Sequence, residues 1–198
     1  MRSDDSAVRE IEDALRIAER SGDDFALALA RMTLGHALVH RPTAADRDRD
    51  RGQKLLAEVS EASLGRGHNL ADLPLVNVYS ARERARRGDR DYAMPLMPAA
   101  ADHLFREGRL MMHGVAATGV LVETLLDRGA DGDVVKAEAA ITKLADAPAD
   151  DGLAIREITL PRLRALLARA HGDDTAYRDY RDRYRAMAES LGYEGHMK

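Results

Sequence analysis

The 198-residue chain has no cysteine and no tryptophan, and aromatic residues make up 4% of it. Without cysteine it cannot form disulfide bonds, thiolate zinc sites or cysteine nucleophiles. No apolar run approaches the roughly 18 residues that a membrane-spanning helix requires. β-branched residues form no alternating runs, so no sheet is expected. The lack of cysteine, together with the lack of a signal-peptide pattern, predicts a cytoplasmic location.

Charge of one sign does not dominate either. The chain has 30 basic and 34 acidic residues and a formal net charge of −4. This near balance produces no overall field that would draw the chain to nucleic acid or to an anionic membrane, so neither partner is expected. Alanine, leucine, arginine and glutamate are abundant, and all four favour helices. A chain of this length buries about 70% of its unfolded surface, enough for one core.

The stretch from Asp89 to Gly129 reads as two apolar helices that fold back on each other at Gly108. The first helix contains Pro95 and Pro98, which favours a helix that starts near Pro95 over a kinked one that starts earlier. The second helix, residues 109–128, carries small residues that let a neighbouring backbone come close: Gly114, Ala116, Ala117 and Gly119.

Similar helix pairs recur along the whole chain at intervals of about 42 residues, as in helical repeats. The pattern predicts one all-α domain over residues 1–198, with hairpins at about 4–41, 46–88, 89–129 and 131–171 and a capping helix at 173–192. These units resemble tetratricopeptide repeats, although they are longer. The resemblance implies a right-handed α-solenoid of antiparallel helix hairpins with about nine helices.

His36 and His40 lie one helical turn apart, a spacing at which two imidazoles can share a zinc ion. No glutamate adjoins His36, and no third ligand is near in the sequence. We therefore expect no metal site, no cofactor site and no catalytic residue.

Residues 82–87 place four arginines at the end of a helix, where cations oppose the negative end of the helix dipole. Glu83 is expected to pair with Arg87 one turn later. A solvated helix end is the favoured interpretation, and a contact with an anion or with nucleic acid is the alternative. Arg82 and Arg86 are therefore candidates for a partner surface.

Five large side chains share one face of the last helix: Tyr177, Tyr180, Tyr184, Met187 and Leu191. Two ion pairs are expected on its flanks, Arg178 with Asp182 and Asp179 with Arg183. The favoured interpretation is that this helix covers the end of the solenoid. The alternative is that this face binds a partner helix or forms a homodimer, since tyrosine is common on partly hydrated interfaces. The three tyrosines are therefore also candidates for a partner surface.

The tail from Tyr184 to Met197, together with Gly88-Asp89 and residues 171–174, resembles the C-terminal helical region of large mycobacterial and actinobacterial signalling proteins. In that family an adenylate cyclase-like domain or a LuxR-type DNA-binding domain precedes an ATPase and a tetratricopeptide-like region. The cyclase, ATPase and DNA-reading motifs have no counterpart here, so no catalytic residue carries over. The resemblance implies a regulatory, protein-interaction segment connected with signalling or transcriptional regulation.

The leading hypothesis is therefore a noncatalytic module of a cytoplasmic signalling protein. Its partner would be another protein or the N-terminal domains of its own protein, and a homodimer is possible. The alternative is a small-ligand receptor or an enzyme with a site in the concave face of the solenoid. Such a site would use His36, His40 or the arginines at 82, 84 and 86.

Overall fold

A computed structural model describes residues 5–40, 44–66, 73–108, 113–148 and 153–192. These residues form helices and no strand, so the predicted all-α class is confirmed. None of the helices in these ranges is both long and apolar enough to cross a membrane. In chain order, the nine helices of the described residues are α1 Asp5–Ser21, α2 Asp24–His40, α3 Asp46–Arg66, α4 Leu73–Arg86, α5 Arg90–Arg106, α6 Val115–Arg128, α7 Asp133–Asp146, α8 Ala154–Ala170 and α9 Asp174–Ser190.

The helices stack in two layers. Helices α2, α4, α6 and α8 contact one another in that order, and we call them the even row. The odd-numbered helices pack mainly against their neighbours in the even row, and surface ion pairs connect α1 with α3 and α5 with α7. This arrangement agrees with a helical-repeat solenoid, in which each unit buries its apolar face against the next.

The main apolar core runs through the middle of this stack. Helices α4 and α6 bury most of their length, and the core extends to α2 on one side and α8 on the other. Each fully buried large apolar side chain contributes about 1.5–3 kcal/mol relative to an exposed one. Those with less than 2% exposure include Leu56, Met97, Leu104, Leu125, Leu144 and Leu163.

Glycine followed by aspartate connects several of the helices. Gly22 and Gly172 have φ of 70° and 74°, a left-handed conformation that glycine adopts without steric cost. Asp23 and Asp173 then accept hydrogen bonds from the first backbone amides of α2 and α9. The sequence predicts that the acidic pairs at helix starts, Asp23-Asp24, Asp150-Asp151 and Asp173-Asp174, cap those helices. The structure confirms this role for Asp23 and Asp173, whereas Asp89 makes no such bond at the start of α5. Asp150 and Asp151 lie outside the described residues.

The backbones of α2 and α3 approach each other closely at two glycines. A Cβ atom added at Gly52 would lie 2.8 Å from Cγ1 of Val39, and one added at Gly35 would lie 2.9 Å from Cδ2 of Leu56. At Gly119 in α6 an added Cβ would meet nothing within 4 Å. The prediction that Gly119 serves close approach was therefore wrong.

Helix α5 begins at Arg90 and continues through Pro95 and Pro98. The predicted late start at Pro95 was therefore wrong. The helix continues because its opposite side is anchored in the core by Met97 and Leu104, both 0% exposed. Pro95 is exposed, so water can reach carbonyl groups that lose a partner on that side. The predicted start of the next helix, residues 109–112, lies outside the described part of the chain.

Candidate functional site

A buried charged cluster lies where α4, α6 and α8 meet. Arg82 on α4 is 6% exposed, and its Nη2 donates a hydrogen bond to Oε2 of Glu123 at 2.9 Å. Arg162 on α8 donates to the other oxygen of the same carboxylate. Burial opposes the ionised form of Glu123, but the guanidiniums of Arg162 and Arg82 outweigh it and hold the pKa of this carboxyl below its ordinary value. Glu123 is therefore an anion shared by two cations.

Glu83 is shared in the same way. It is 1% exposed, and its Oε1 lies 2.8 Å from Nη1 of Arg86 and 3.4 Å from Nη1 of Arg49 on α3. The predicted pair between Glu83 and Arg87 was wrong, because Arg87 pairs instead with Asp50 on α3. Glu83 points into the stack while Arg87 is half exposed, so the two side chains leave the helix in different directions.

The two histidines predicted to share a helix face contact a buried tyrosine and an arginine. The ring centroids of His36 and Tyr79 are 4.3 Å apart, and those of His40 and Tyr79 are 5.9 Å apart. Nδ1 of His40 lies 3.3 Å from Nη1 of Arg82, while the enclosed Nε2 of His36 has no hydrogen-bond partner among the described residues. Burial lowers the pKa of both histidines to about 3 and raises that of Tyr79 to about 12.

Both imidazoles are therefore neutral near pH 7. A metal ion beside His40 would also lie beside the guanidinium of Arg82, which repels cations. Within the described ranges, no group of three or more histidine, aspartate or glutamate side chains could hold a metal ion.

A small cleft opens to solvent beside Arg82, and we call it the arginine cleft. Its volume is about 130 Å³, and it lies between the end of α4, the start of α5 and the end of α6. Four guanidiniums and one carboxylate line it, with a threonine and an alanine between them: Arg82, Arg86, Arg90, Arg128, Asp127, Thr124 and Ala85. Carboxylates outside the lining pair with three of these guanidiniums: Glu123 with Arg82, Glu83 with Arg86 and Asp133 with Arg128. Arg90 forms no ion pair in the described part of the chain, so it is the cation of the cleft that is most open to a ligand.

A second depression, on the other side of Arg86, differs in its charge. It is wider, about 530 Å³, and three carboxylates and three guanidiniums line it: Asp46, Asp50, Glu83, Arg49, Arg86 and Arg87. Opposite charges balance there. The lining of the arginine cleft thus has more guanidiniums than carboxylates, whereas that of the second depression has equal numbers.

The predicted tyrosines lie elsewhere, on α9. Tyr177, Tyr180 and Tyr184 are each partly buried on this helix, which packs against α8. The predicted pair between Asp179 and Arg183 is present at 3.1 Å. Arg178 was expected to pair with Asp182, but its Nε donates to the carbonyl oxygen of Asp174. The structure does not bring the tyrosines together with Arg82 and Arg86.

Sequence reasoning missed Glu123, Arg162, Arg90 and Arg128. One signal was available, because Glu123 is the only charged residue within the apolar run of residues 115–126. A lone carboxylate on a buried helix requires cationic partners from other helices. Nothing local identified those partners, since Arg82 and Arg162 are 41 and 39 residues away.

Comparison of the chain with known protein families, with curated proteins and with solved structures finds no match. The resemblance to signalling proteins with a tetratricopeptide-like region therefore stays a prediction.

Proposed function

We propose that this chain is a noncatalytic helical-repeat module that recognises a protein partner in cytoplasmic signalling. We further propose that its stack is right-handed and tetratricopeptide-like. Its context would be a multidomain protein of the adenylate cyclase–ATPase type or the LuxR type, and its partner would be the preceding domains of that protein or a separate chain.

The observation that carries the proposal is the size and charge of the arginine cleft. Sites for whole small molecules usually measure about 300–1,000 Å³. The arginine cleft measures about 130 Å³, which suits a single acidic group more than a complete ligand. A protein partner can supply such a group from its surface while the rest of its contact lies on the flanking helices. At the arginine cleft, the size therefore favours an acidic group of a protein partner over a whole small ligand.

The chemistry of the buried groups also favours binding over catalysis. A general base works best when its pKa is near the working pH. Burial lowers the pKa of His36 and His40 to about 3, and Glu123 is held as an anion by two guanidiniums. These groups are poorly suited to move protons near pH 7.

The test of partner recognition begins with the reading frame upstream of Met1. The domains encoded there are expressed separately, mixed with this chain and analysed by size-exclusion chromatography with light scattering. A one-to-one complex supports the proposal. If a cyclase or ATPase is encoded there and no complex forms, or if no signalling domain is encoded, the proposed context is wrong.

The test against the enzyme alternative is incubation with ATP. We expect no release of cyclic AMP, pyrophosphate or phosphate above the buffer level. Turnover that is lost in the His40→Gln variant would overturn the noncatalytic proposal, and an Arg185→Gln variant on α9 is the matched control for nonspecific loss.

A further inference from the structure

We infer that the arginine cleft binds one oxyanion group, the carboxylate or phosphate of an acidic ligand. This inference rests on the proposed function, because it states which chemical group of a partner the module recognises. Its own evidence is the charge, the size and the helix geometry of the cleft.

Carboxylates hold three guanidiniums of the cleft in place. Glu123 pairs with Arg82, Glu83 with Arg86 and Asp133 with Arg128. Glu123 also pairs with Arg162, so one carboxylate is shared by two guanidiniums and does not fully neutralise Arg82. The three guanidiniums of the cleft are at most 33% exposed, so their interaction with an anion is screened less than it would be on an open surface.

Arg90 adds a cation that the described part of the chain does not neutralise. It is exposed at the rim of the cleft and forms no ion pair with any described carboxylate. It is also the first residue of α5, where the helix dipole is positive and the side chain of Asp89 makes no capping hydrogen bond. An oxyanion beside Arg90 would receive both the guanidinium charge and the field of the helix terminus.

The shape of the guanidinium matches this ligand. Its planar fork donates two parallel hydrogen bonds to a carboxylate or phosphate. The volume of about 130 Å³ accommodates one such group. Asp127 is the single carboxylate that lines the arginine cleft, so it opposes an anion and limits its affinity.

Two probes separate the two sources of the oxyanion, inorganic phosphate and N-acetylglutamate amide. Each is titrated into the full chain by isothermal calorimetry, with sodium chloride holding the ionic strength constant. We expect a Kd in the millimolar range for at least one probe. Tighter binding of phosphate would identify a phosphorylated ligand, and tighter binding of N-acetylglutamate amide would identify an acidic side chain.

Three variants make the result specific to the arginine cleft. Arg90→Gln should weaken binding about tenfold, the loss expected for one charge-assisted hydrogen bond. Arg106→Gln removes an exposed arginine at the other end of α5, about 24 Å away, and should leave the Kd unchanged. Asp127→Asn should tighten binding several-fold, a gain that a purely structural role for these residues would not produce.

Lack of binding by the wild-type chain at about 10 mM of either probe would overturn the inference. Equal Kd values for Arg90→Gln and Arg106→Gln would also overturn it. The proposed function is tested separately. If the complex with the upstream domains forms with unchanged affinity in the Arg90→Gln variant, only the role of the cleft is refuted. Oxyanion binding without any complex would refute only the proposed partner.

Discussion

Two arginine-rich stretches of this chain have similar compositions and different environments. Residues 82–87 form the end of α4, and Arg82 and Glu83 there are 6% and 1% exposed. Residues 178–185 belong to α9, and their arginines are exposed or partly exposed. In the first stretch Arg82, Glu83 and Arg87 each pair with a residue of another helix, whereas in the second Arg183 pairs with Asp179 on the same helix.

The difference follows from the position of each helix in the stack. Helix α4 has even-row neighbours on both sides, whereas α9 packs against α8. A charge enclosed between helices must be neutralised by partners from those helices, and loss of one partner is costly. An exposed pair gains only about 0–1 kcal/mol because water already solvates both groups. Loss of an ion-pair partner should therefore cost much stability in the first stretch and little in the second, although their local sequences are similar.

The sharpest test of this difference is Glu123→Gln. The substitution keeps the shape of the side chain but leaves Arg82 and Arg162 without their shared anion. Removing one partner of a buried ion pair typically costs about 3–5 kcal/mol. We expect a loss of that size in the free energy of unfolding, measured by urea denaturation.

A control for this prediction is Glu189→Gln on α9, an exposed position that should change stability by less than about 0.5 kcal/mol. A second variant, Glu123→Met with Arg82→Met, removes the buried charge together with its anion. It should recover part of the loss, because Arg162 is 35% exposed and can be hydrated. A loss below about 1 kcal/mol for Glu123→Gln would contradict the buried network.

The next largest effect concerns α9 as the end of the stack. It packs against α8, where Leu166 and Leu167 are partly buried against the core. A chain that stops before Asp173 should therefore aggregate or melt several degrees lower, since about 1 kcal/mol corresponds to roughly 2–4 °C at this size. Scanning calorimetry and light scattering measure this. A monomeric chain with an unchanged melting temperature would show that α9 is not a cap.

The third largest effect is expected from acidification, which should destabilise the fold through the buried His36 and His40 on α2. Burial lowers the pKa of His36 and His40 to about 3, whereas an unfolded histidine titrates near 6.5. Below pH 6.5 the unfolded chain binds protons that the folded chain excludes, so stability is full above that pH and declines as the pH falls toward 3. Through the two histidines together, the free energy of unfolding should fall by about 2 kcal/mol between pH 6.5 and 5.5.

Urea denaturation at a series of pH values checks this loss. His36→Phe keeps a ring against Tyr79 but cannot titrate, so its stability should depend less steeply on pH. His171→Gln, at an exposed turn after α8, should keep the wild-type slope. Equal slopes in all three proteins would show that His36 is accessible to protons in the folded state.

The sequence was a good guide to features that depend on neighbouring residues. Helical periodicity and the partly buried tyrosines of α9 are local, and both were predicted. The shared carboxylate of Glu123 could not be, because Arg82 and Arg162 are about 40 residues away on either side. The predicted helix start at Pro95 was wrong for a related reason, because core packing of Met97 and Leu104 outweighs the local cost of proline in the helix.

The smallest expected effect is that of Asp179→Asn, which removes the ion pair with Arg183 on α9. The two side chains are 53% and 66% exposed, so water and salt screen the pair. We expect a loss below about 0.5 kcal/mol by urea denaturation, and a smaller one at 0.5 M sodium chloride. A loss above about 1 kcal/mol would mean that the pair is removed from water in solution. A second copy of the chain covering α9 would produce this, as the homodimer interpretation of the tyrosine face predicts. Sedimentation velocity over a range of concentrations would then decide, because Tyr180→Ala should abolish such self-association.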